Sequence, residues 1–176
     1  SAARYPLTID PIAQQAYLKA SNAEASDYFG WAVSASGDTV VVGAYREDSN
    51  STGVNGDESN NSAANAGAAY VFVRNGSTWT QQAYLKASTN GPGDFFGFSV
   101  SISGDTLVVG AILEDSNTKV VNGDESNNSA VNSGAAYVFV RSGTTWSQQA
   151  YIKPFNTGSG DSFGQSVSAS GDWIVV

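Results

Sequence analysis

A repeat of 67 residues dominates this sequence. The segment QQAYLKA at residues 14–20 returns at residues 81–87, and a third copy, QQAYIKP, occupies residues 148–154. Residues 14–80 and 81–147 are identical at 47 of 67 positions, which points to recent duplication. A fixed period of this length is typical of a supersecondary module that cannot bury its apolar face alone. The sequence therefore predicts an array of similar modules packed side by side.

Composition argues against several kinds of chemistry. The chain has 16 acidic and 8 basic side chains and contains no His, Cys or Met. Neither disulfides nor thiolate metal sites are available, and the usual proton shuttle at neutral pH is missing. The net charge of −8 argues against binding to nucleic acid or insertion at an anionic membrane, because phosphate-neutralising cations are scarce.

Four short strands are predicted in each unit. Residues 96–102 alternate apolar with small or polar side chains, the pattern of a strand with one face against a core. A tight turn that ends in glycine, residues 103–104, precedes the apolar run at 105–111. A second turn of this kind, residues 142–143, lies between the runs at 134–141 and 146–153. In the first unit the strands are expected near 28–36, 38–44, 67–74 and 79–87. Four sequential antiparallel strands form the blade of a β-propeller, so the predicted fold is all-β with almost no helix.

The repeat is longer than an ordinary propeller blade, which takes roughly 40 to 50 residues. A polar segment of 22 residues, 45–66, explains the excess, because 67 minus 22 leaves 45. Its equivalent in the second unit is residues 112–133. We interpret both segments as long loops inserted between the second and third strands.

The residues around the first hairpin resemble a known family. Phe-Gly pairs at 29–30, 96–97 and 163–164 precede a strand and a hairpin, and the hairpin ends in Val-Gly-Ala at 42–44 and 109–111. This order resembles the FG-GAP repeat of integrin-type β-propellers, and more closely its bacterial variant. The resemblance implies a binding, adhesion or scaffold module of a secreted or cell-surface bacterial protein. The family's Pro after Gly-Ala is replaced by Tyr45 and Ile112, and a Ser-Gly turn replaces the integrin-type calcium loop.

The units predict an incomplete ring. Residues 1–20 correspond to the end of a preceding blade, with its fourth strand at 12–20. Residues 21–87 and 88–154 form two complete blades, and residues 155–176 form the first half of a third. Closing a ring takes roughly four to eight blades. We expect neighbouring blades from a longer chain, or from further copies, to cover the unpaired edges.

The long loops contain the best candidates for metal binding. Acidic and amide side chains cluster in both loops, and calcium takes about six to eight such oxygens in flexible geometry. The predicted calcium ligands are Asp48, Asn55, Asp57, Asp115, Asn122 and Asp124. The alternative is a solvated polar loop held by side-chain to backbone hydrogen bonds. The two loops are identical at 15 of 22 positions, a share no higher than that between whole units. Their identity therefore does not decide between calcium binding and a solvated loop.

Aromatic and acidic residues at other repeat positions have two interpretations. Trp31, Phe98 and Gln165 share one position on the innermost strand, where variation can tune a ligand surface, although aromatics at this spacing more often form core. Trp79 and Trp146 are expected to cover the outer strand. The Asp residues after the Ser-Gly turns are expected to bond the hairpin backbone; they are Asp38, Asp105 and Asp172.

Catalysis has little support in the sequence. Paired acids lie next to each other and recur in every unit, whereas an active site is normally single, and nucleophilic triads lack their usual His or Cys. The predicted function is therefore a non-catalytic binding, adhesion or scaffold module whose partner is an extracellular protein or a glycan. The alternative is a structural subunit that assembles into rings or filaments through its blade edges.

Overall fold

The computed structural model describes residues 14–176, which contain ten strands in three antiparallel sheets and no helix. The first sheet, blade 1, has the order β1-β2-β3-β4, and the second, blade 2, has the order β5-β6-β7-β8. A two-stranded sheet of β9 and β10 follows. The strands are β1 (Ala32–Ser36), β2 (Thr39–Ala44), β3 (Ala68–Asn75), β4 (Thr78–Leu85), β5 (Phe96–Ser103), β6 (Thr106–Ala111), β7 (Ala135–Ser142), β8 (Thr145–Ile152), β9 (Ser168–Ser170) and β10 (Trp173–Val175).

The expected four-stranded blades are confirmed, and the sheets of the described residues do not close a ring. The predicted strand at residues 12–20 is not confirmed. Residues 12 and 13 lie outside the described part, and residues 14–20 do not form a strand. A strand requires a hydrogen-bonded neighbour, and the described residues provide none here. Leu18 and Ala20 pack instead on the apolar cluster around Tyr70 and Tyr84.

The largest core lies between the two blades. Val41, Val71 and Leu85 of blade 1 belong to the same buried cluster as Phe96 and Tyr137 of blade 2. The cluster forms because β2 and β3 are apolar on both faces, so each blade has one face for the preceding neighbour and one for the following neighbour. The blades are therefore joined by apolar burial, as a module that cannot stand alone requires.

Serine hydroxyls connect the innermost strands of successive blades. Ser34 Oγ and Ser36 Oγ in β1 accept hydrogen bonds from the backbone N–H groups of Ile102 (3.1 Å) and Gly104 (3.0 Å). One unit later, Ser101 and Ser103 accept from Ala169 (2.9 Å) and Gly171 (3.0 Å) in the same way. We call these contacts the serine ladder. They satisfy backbone N–H donors along the edge of the inner strand at which no other described strand is paired.

Glycines of the repeated motif allow the blades to approach closely. Gly97 has φ +86°, and a Cβ atom there would overlap the carbonyl oxygen of Ala68 in blade 1. A Cβ at Gly43 would overlap the carbonyl oxygen of Gly97 in turn. Only a residue without a side chain fits such backbone contact. The Phe-Gly and Gly-Ala pairs thus form the joint between one blade and the next.

The last strand of each blade contains a β-bulge, and in blade 1 this bulge directs a glutamine toward the next blade. The register of β3 and β4 shifts between Val71 and Phe72, which leaves Gln82 without an opposite residue. Its Oε1 accepts a hydrogen bond of 2.8 Å from Trp146 Nε1 in blade 2. Bulges commonly redirect a side chain in this way.

The first hairpin of each blade differs in part from expectation. Asp38 and Asp105 were predicted to bond the hairpin backbone, but their carboxylates pair with Arg74 and Arg141 at 2.6 and 2.7 Å. The guanidinium groups lie over Trp79 and Trp146, with centroid distances of 5.7 and 5.2 Å. Each arginine can therefore bridge an acid and an indole, because these distances suit a cation–π contact.

Candidate binding surface

The six predicted calcium ligands lie in two equivalent loops, and each has an oxygen that accepts a backbone hydrogen bond. Asp48 Oδ1 accepts from Asn65 N at 2.7 Å, Asn55 Oδ1 accepts from Tyr84 N at 2.9 Å, and Asp57 Oδ1 accepts from Ser59 N at 2.9 Å. Their equivalents bond in the same way, Asp115 to Asn132, Asn122 to Tyr151 and Asp124 to Ser126. Calcium binding through these oxygens stays a prediction.

The pKa of the Asp57 carboxyl is lowered, first by the Ser59 hydroxyl and then by the Ser59 backbone N–H. Asp124 is affected in the same way by Ser126. Within residues 14–176, no three acidic side chains lie close enough together to form a metal-binding group. A cation at these loops would therefore need backbone carbonyls or amide oxygens in addition to the acids.

The long loops fasten each blade to its successor. Backbone N–H groups of Gly93, Phe95 and Phe96 donate to carbonyl oxygens of residues 64–66 at 2.9 to 3.2 Å. Gly67 and Phe96 form an isolated parallel bridge, and Gly134 and Phe163 repeat it in the next unit. The long loops are therefore insertions between the second and third strands, as predicted, that also contribute backbone pairing to the blade joint.

A buried ion pair lies under each long loop, and it is absent from the sequence-based predictions above. Lys86 Nζ is 2.7 Å from Glu47 Oε2, and both side chains are almost fully buried. Tyr84 Oη donates to Glu47 Oε1 at 2.8 Å, and Asn22 Nδ2 donates to the same oxygen at 3.0 Å. Burial lowers the pKa of Lys86, while Glu47 acts in the opposite direction. A buried charge is tolerated only with such complete pairing.

The second ion pair has different supporting groups. Lys153 Nζ is 2.7 Å from Glu114 Oε2 and also donates to Ser133 Oγ at 2.6 Å, where the first unit has Ala66. In blade 1, Tyr70 Oη donates to Asn22 Oδ1 at 2.6 Å. Thr89 replaces Asn22 in the second unit, and Tyr137 Oη has no hydrogen-bond partner within residues 14–176.

A small acidic cavity of about 100 Å³ lies beside the second ion pair. Asp94, Glu114 and Glu125 contribute to its lining. Burial is the largest cause that raises the pKa of the Asp94 carboxyl to about 7, and Glu114 and Asp115 add to the increase. The hydrogen bond from Gly91 N, at 2.7 Å, acts in the opposite direction. This carboxyl therefore titrates close to neutral pH.

Five aromatic rings and one arginine form a cluster at the inner edge of the joint between the blades. Trp31 packs on Tyr45 and Phe98, with ring centroids 4.8 and 5.5 Å apart, and Tyr28 packs on Trp31 and Tyr45 at 6.3 and 5.4 Å. Phe95 contacts Tyr45 at 5.1 Å. We call this group, together with Arg46, the aromatic cluster. Within residues 14–176, Trp31 is 50% exposed and Tyr28 is 47% exposed, so the described residues leave part of the cluster uncovered.

Arg46 has unused hydrogen-bonding capacity in the aromatic cluster. Its guanidinium carbon lies 4.9 Å from the centroid of Tyr28 and 5.4 Å from that of Tyr45. Arg46 Nε is buried without a hydrogen-bond partner, and Arg46 takes part in none of the four ion pairs within residues 14–176. The cation is positioned by its contacts with the two tyrosine rings, and no described carboxylate pairs with it.

The aromatic cluster lies at positions where the units differ in character. Tyr28 and Trp31 correspond to Phe95 and Phe98 one unit later, and then to the small or polar residues Ser162 and Gln165. Tyr45 and Arg46 correspond to Ile112 and Leu113. The two units are identical at 47 of 67 positions, yet the residues of the aromatic cluster are not repeated in the following unit. The cluster is therefore particular to the joint between blade 1 and blade 2.

A model of the FG-GAP repeat matches three segments, residues 12–72, 79–139 and 146–176. The chain belongs to the FG-GAP repeat family. The FG-GAP glycines are those of the blade joint described above, which explains in physical terms why the motif pairs Phe-Gly with Gly-Ala. FG-GAP repeats are consistent with a binding or scaffold role for this chain. No curated protein matches the chain at a significant level. Among the described residues there is no helix that could span a membrane.

Proposed function

We propose that this FG-GAP chain is a non-catalytic binding module of a secreted or cell-surface protein, with the aromatic cluster as its binding surface. The observation that carries the proposal is the position of Trp31 and Tyr28, half exposed within residues 14–176, beside the Arg46 guanidinium, which forms no ion pair with a described carboxylate. Trp, Tyr and Arg are the residue types that dominate binding energy at protein interfaces. A function in adhesion follows if the partner belongs to a cell surface or an extracellular matrix.

A direct test compares the 176-residue chain with a double variant, Tyr28→Ser and Trp31→Gln. These substitutions introduce the residues found at the equivalent positions 162 and 165, so the fold already accommodates them. Binding is measured on arrays of immobilised glycans and extracellular proteins. We expect the double variant to lose at least tenfold in affinity for whatever the parent chain binds.

The matched control is Phe155→Ser, which removes a side chain that is 85% exposed and introduces the residue found at position 88. It should bind like the parent chain. Equal binding by the double variant and the parent chain would remove the aromatic cluster from the function. The assembly alternative, in which neighbouring blades are the partners, predicts a different result. In that case binding would be lost when the chain is prevented from associating with further copies of itself.

Calcium binding is a second part of the proposal. Both long loops contain the same acids and amides, and a bound cation would reduce the repulsion among the carboxylates of each loop. Calcium at 100 times its dissociation constant should raise the free energy of unfolding by about 2.7 kcal/mol per site. The measurement is thermal unfolding in calcium and in chelator, for the parent chain and for Asp57→Ala with Asp124→Ala. Identical melting temperatures in both conditions would leave the loops without a metal.

A further inference from the structure

We infer that the aromatic cluster binds an acidic sugar, whose carboxylate pairs with the Arg46 guanidinium while its ring lies against Trp31 and Tyr28. The inference rests on the proposed function and specifies its ligand class.

The guanidinium of Arg46, unpaired within the described residues, indicates that the ligand carries a negative charge. The other arginines of the described part, Arg74 and Arg141, each pair with an aspartate at 2.6 to 2.7 Å, and the buried lysines pair with glutamates. Arg46 alone among these cations stacks on two tyrosine rings and has no carboxylate partner within residues 14–176. A guanidinium presents a planar fork that fits a carboxylate with two parallel hydrogen bonds.

The surrounding rings indicate a ligand with an apolar face and polar edges. Trp31 and Tyr28 are about half exposed, and their centroids are 6.3 Å apart at nearly perpendicular planes. Half-exposed Trp and Tyr provide an apolar face with a polar tip, which suits the C–H face and the hydroxyl groups of a sugar ring. Tyr45 and Phe98 support Trp31 from beneath, at 4.8 and 5.5 Å, so the platform is preformed.

The net charge limits the number of acidic groups on the ligand. With 16 acidic and 8 basic side chains, the chain repels polyanions at long range. One cation in the aromatic cluster matches one carboxylate. The ligand class is therefore an otherwise neutral oligosaccharide that carries a single uronic acid residue.

The test measures binding of such an oligosaccharide with one glucuronic acid residue, and of the same oligosaccharide with its carboxylate reduced to an alcohol. Isothermal titration at low ionic strength should show at least tenfold tighter binding of the acidic form. Arg46→Leu introduces the residue found at position 113 and should abolish this preference. Arg46→Lys keeps the charge without the fork and should retain part of the preference.

Lys119→Leu is the control for charge, because Lys119 is exposed in the other long loop and its loss changes the net charge equally. It should leave the preference intact. Thermal unfolding of each variant shows whether the fold is preserved.

Three results would overturn the inference. Equal affinity for the acidic and the reduced sugar, with both lost in Trp31→Gln, would exclude a role for the carboxylate but keep the aromatic cluster as a binding surface. Cluster-dependent binding of a glutamate-containing peptide of the same charge, without sugar binding, would assign the site to a protein ligand. Binding of neither sugar, while the array still shows cluster-dependent binding to another molecule, would reject the sugar and retain the proposed function.

Discussion

Blade 1 and blade 2 have nearly the same strands but different surroundings. Val33 of blade 1 is 66% exposed, whereas its equivalent Val100 is 9% exposed because blade 1 covers it. Trp79 is half-buried, whereas Trp146 is buried and donates to Gln82 of the preceding blade. Within the described residues, blade 2 has a neighbouring sheet on each side, blade 1 on one side and the β9–β10 sheet on the other. Among those residues, blade 1 has a neighbouring sheet only on the side of blade 2. The comparison shows that a blade acquires its complete core from the unit before it.

The largest expected difference concerns the two buried ion pairs. Glu47→Gln leaves the buried Lys86 without its counter-charge and should lower the free energy of unfolding by about 3 to 5 kcal/mol. Glu114→Gln should cost about 1 kcal/mol less, because Lys153 keeps the Ser133 hydroxyl as an acceptor. Urea unfolding followed by tryptophan fluorescence measures both losses. Equal losses would mean that the contact between Lys153 and Ser133 contributes no measurable stability.

The second difference concerns pH. The pKa of Asp94 is about 7 in the folded protein and near 3.8 in the unfolded chain, so the folded state binds the extra proton between these values. Stability should therefore be greatest at low pH in this window and fall by about 2 to 3 kcal/mol from pH 5 to pH 8. Asp94→Asn should flatten this profile more than Asp27→Asn. A profile unchanged by Asp94→Asn would show that other carboxyls cause it.

Matched glycine substitutions isolate the backbone joint. Gly30 and Gly97 are equivalent and have φ values of +96° and +86°. Alanine is strained at both, but only at Gly97 would its Cβ overlap a carbonyl oxygen of the neighbouring blade. Gly97→Ala should therefore cost about 2 kcal/mol more than Gly30→Ala in urea unfolding. Similar costs would show that φ strain, and not blade contact, explains the glycine.

The smallest difference concerns two tyrosine hydroxyls. Tyr70→Phe removes the bond to Asn22 and should cost about 1 kcal/mol. Tyr137→Phe removes a buried hydroxyl that has no partner in the described structure, so it should be neutral or slightly stabilising. Thermal unfolding of the two variants side by side measures the contrast. A loss in Tyr137→Phe as large as that in Tyr70→Phe would indicate a partner for Tyr137, such as a buried water.

The strands of both blades could be predicted because their signals are local. Alternation in residues 96–102 and glycine turns before residues 105 and 145 indicate strand and hairpin without reference to any distant residue. Residues 14–20 have the same sequence as 81–87 yet form no strand, because strand formation depends on a partner that the sequence of the segment does not contain.

The sites were harder to predict, since their contacts are not local. Glu47 and Lys86 are 39 residues apart, and charged residues of both kinds are rarely buried. One signal was present: Tyr84 near the end of β4 and Lys86 just after it are two residues apart, the spacing that places side chains on one side of an extended chain, and both contact Glu47. The aromatic cluster had its own signal, the replacement of the family's Pro by Tyr45, followed by an arginine.

The serine ladder has a consequence for how such a chain can change in length. Its acceptors are hydroxyls at fixed repeat positions, and its donors are main-chain amides that every residue except proline provides. Recognition between consecutive blades along the inner strands therefore depends little on which other side chains a blade has. A duplicated unit inherits a compatible contact on both sides from the moment it is copied. Differences such as those of the aromatic cluster can then accumulate in one unit without loss of the connection to the next.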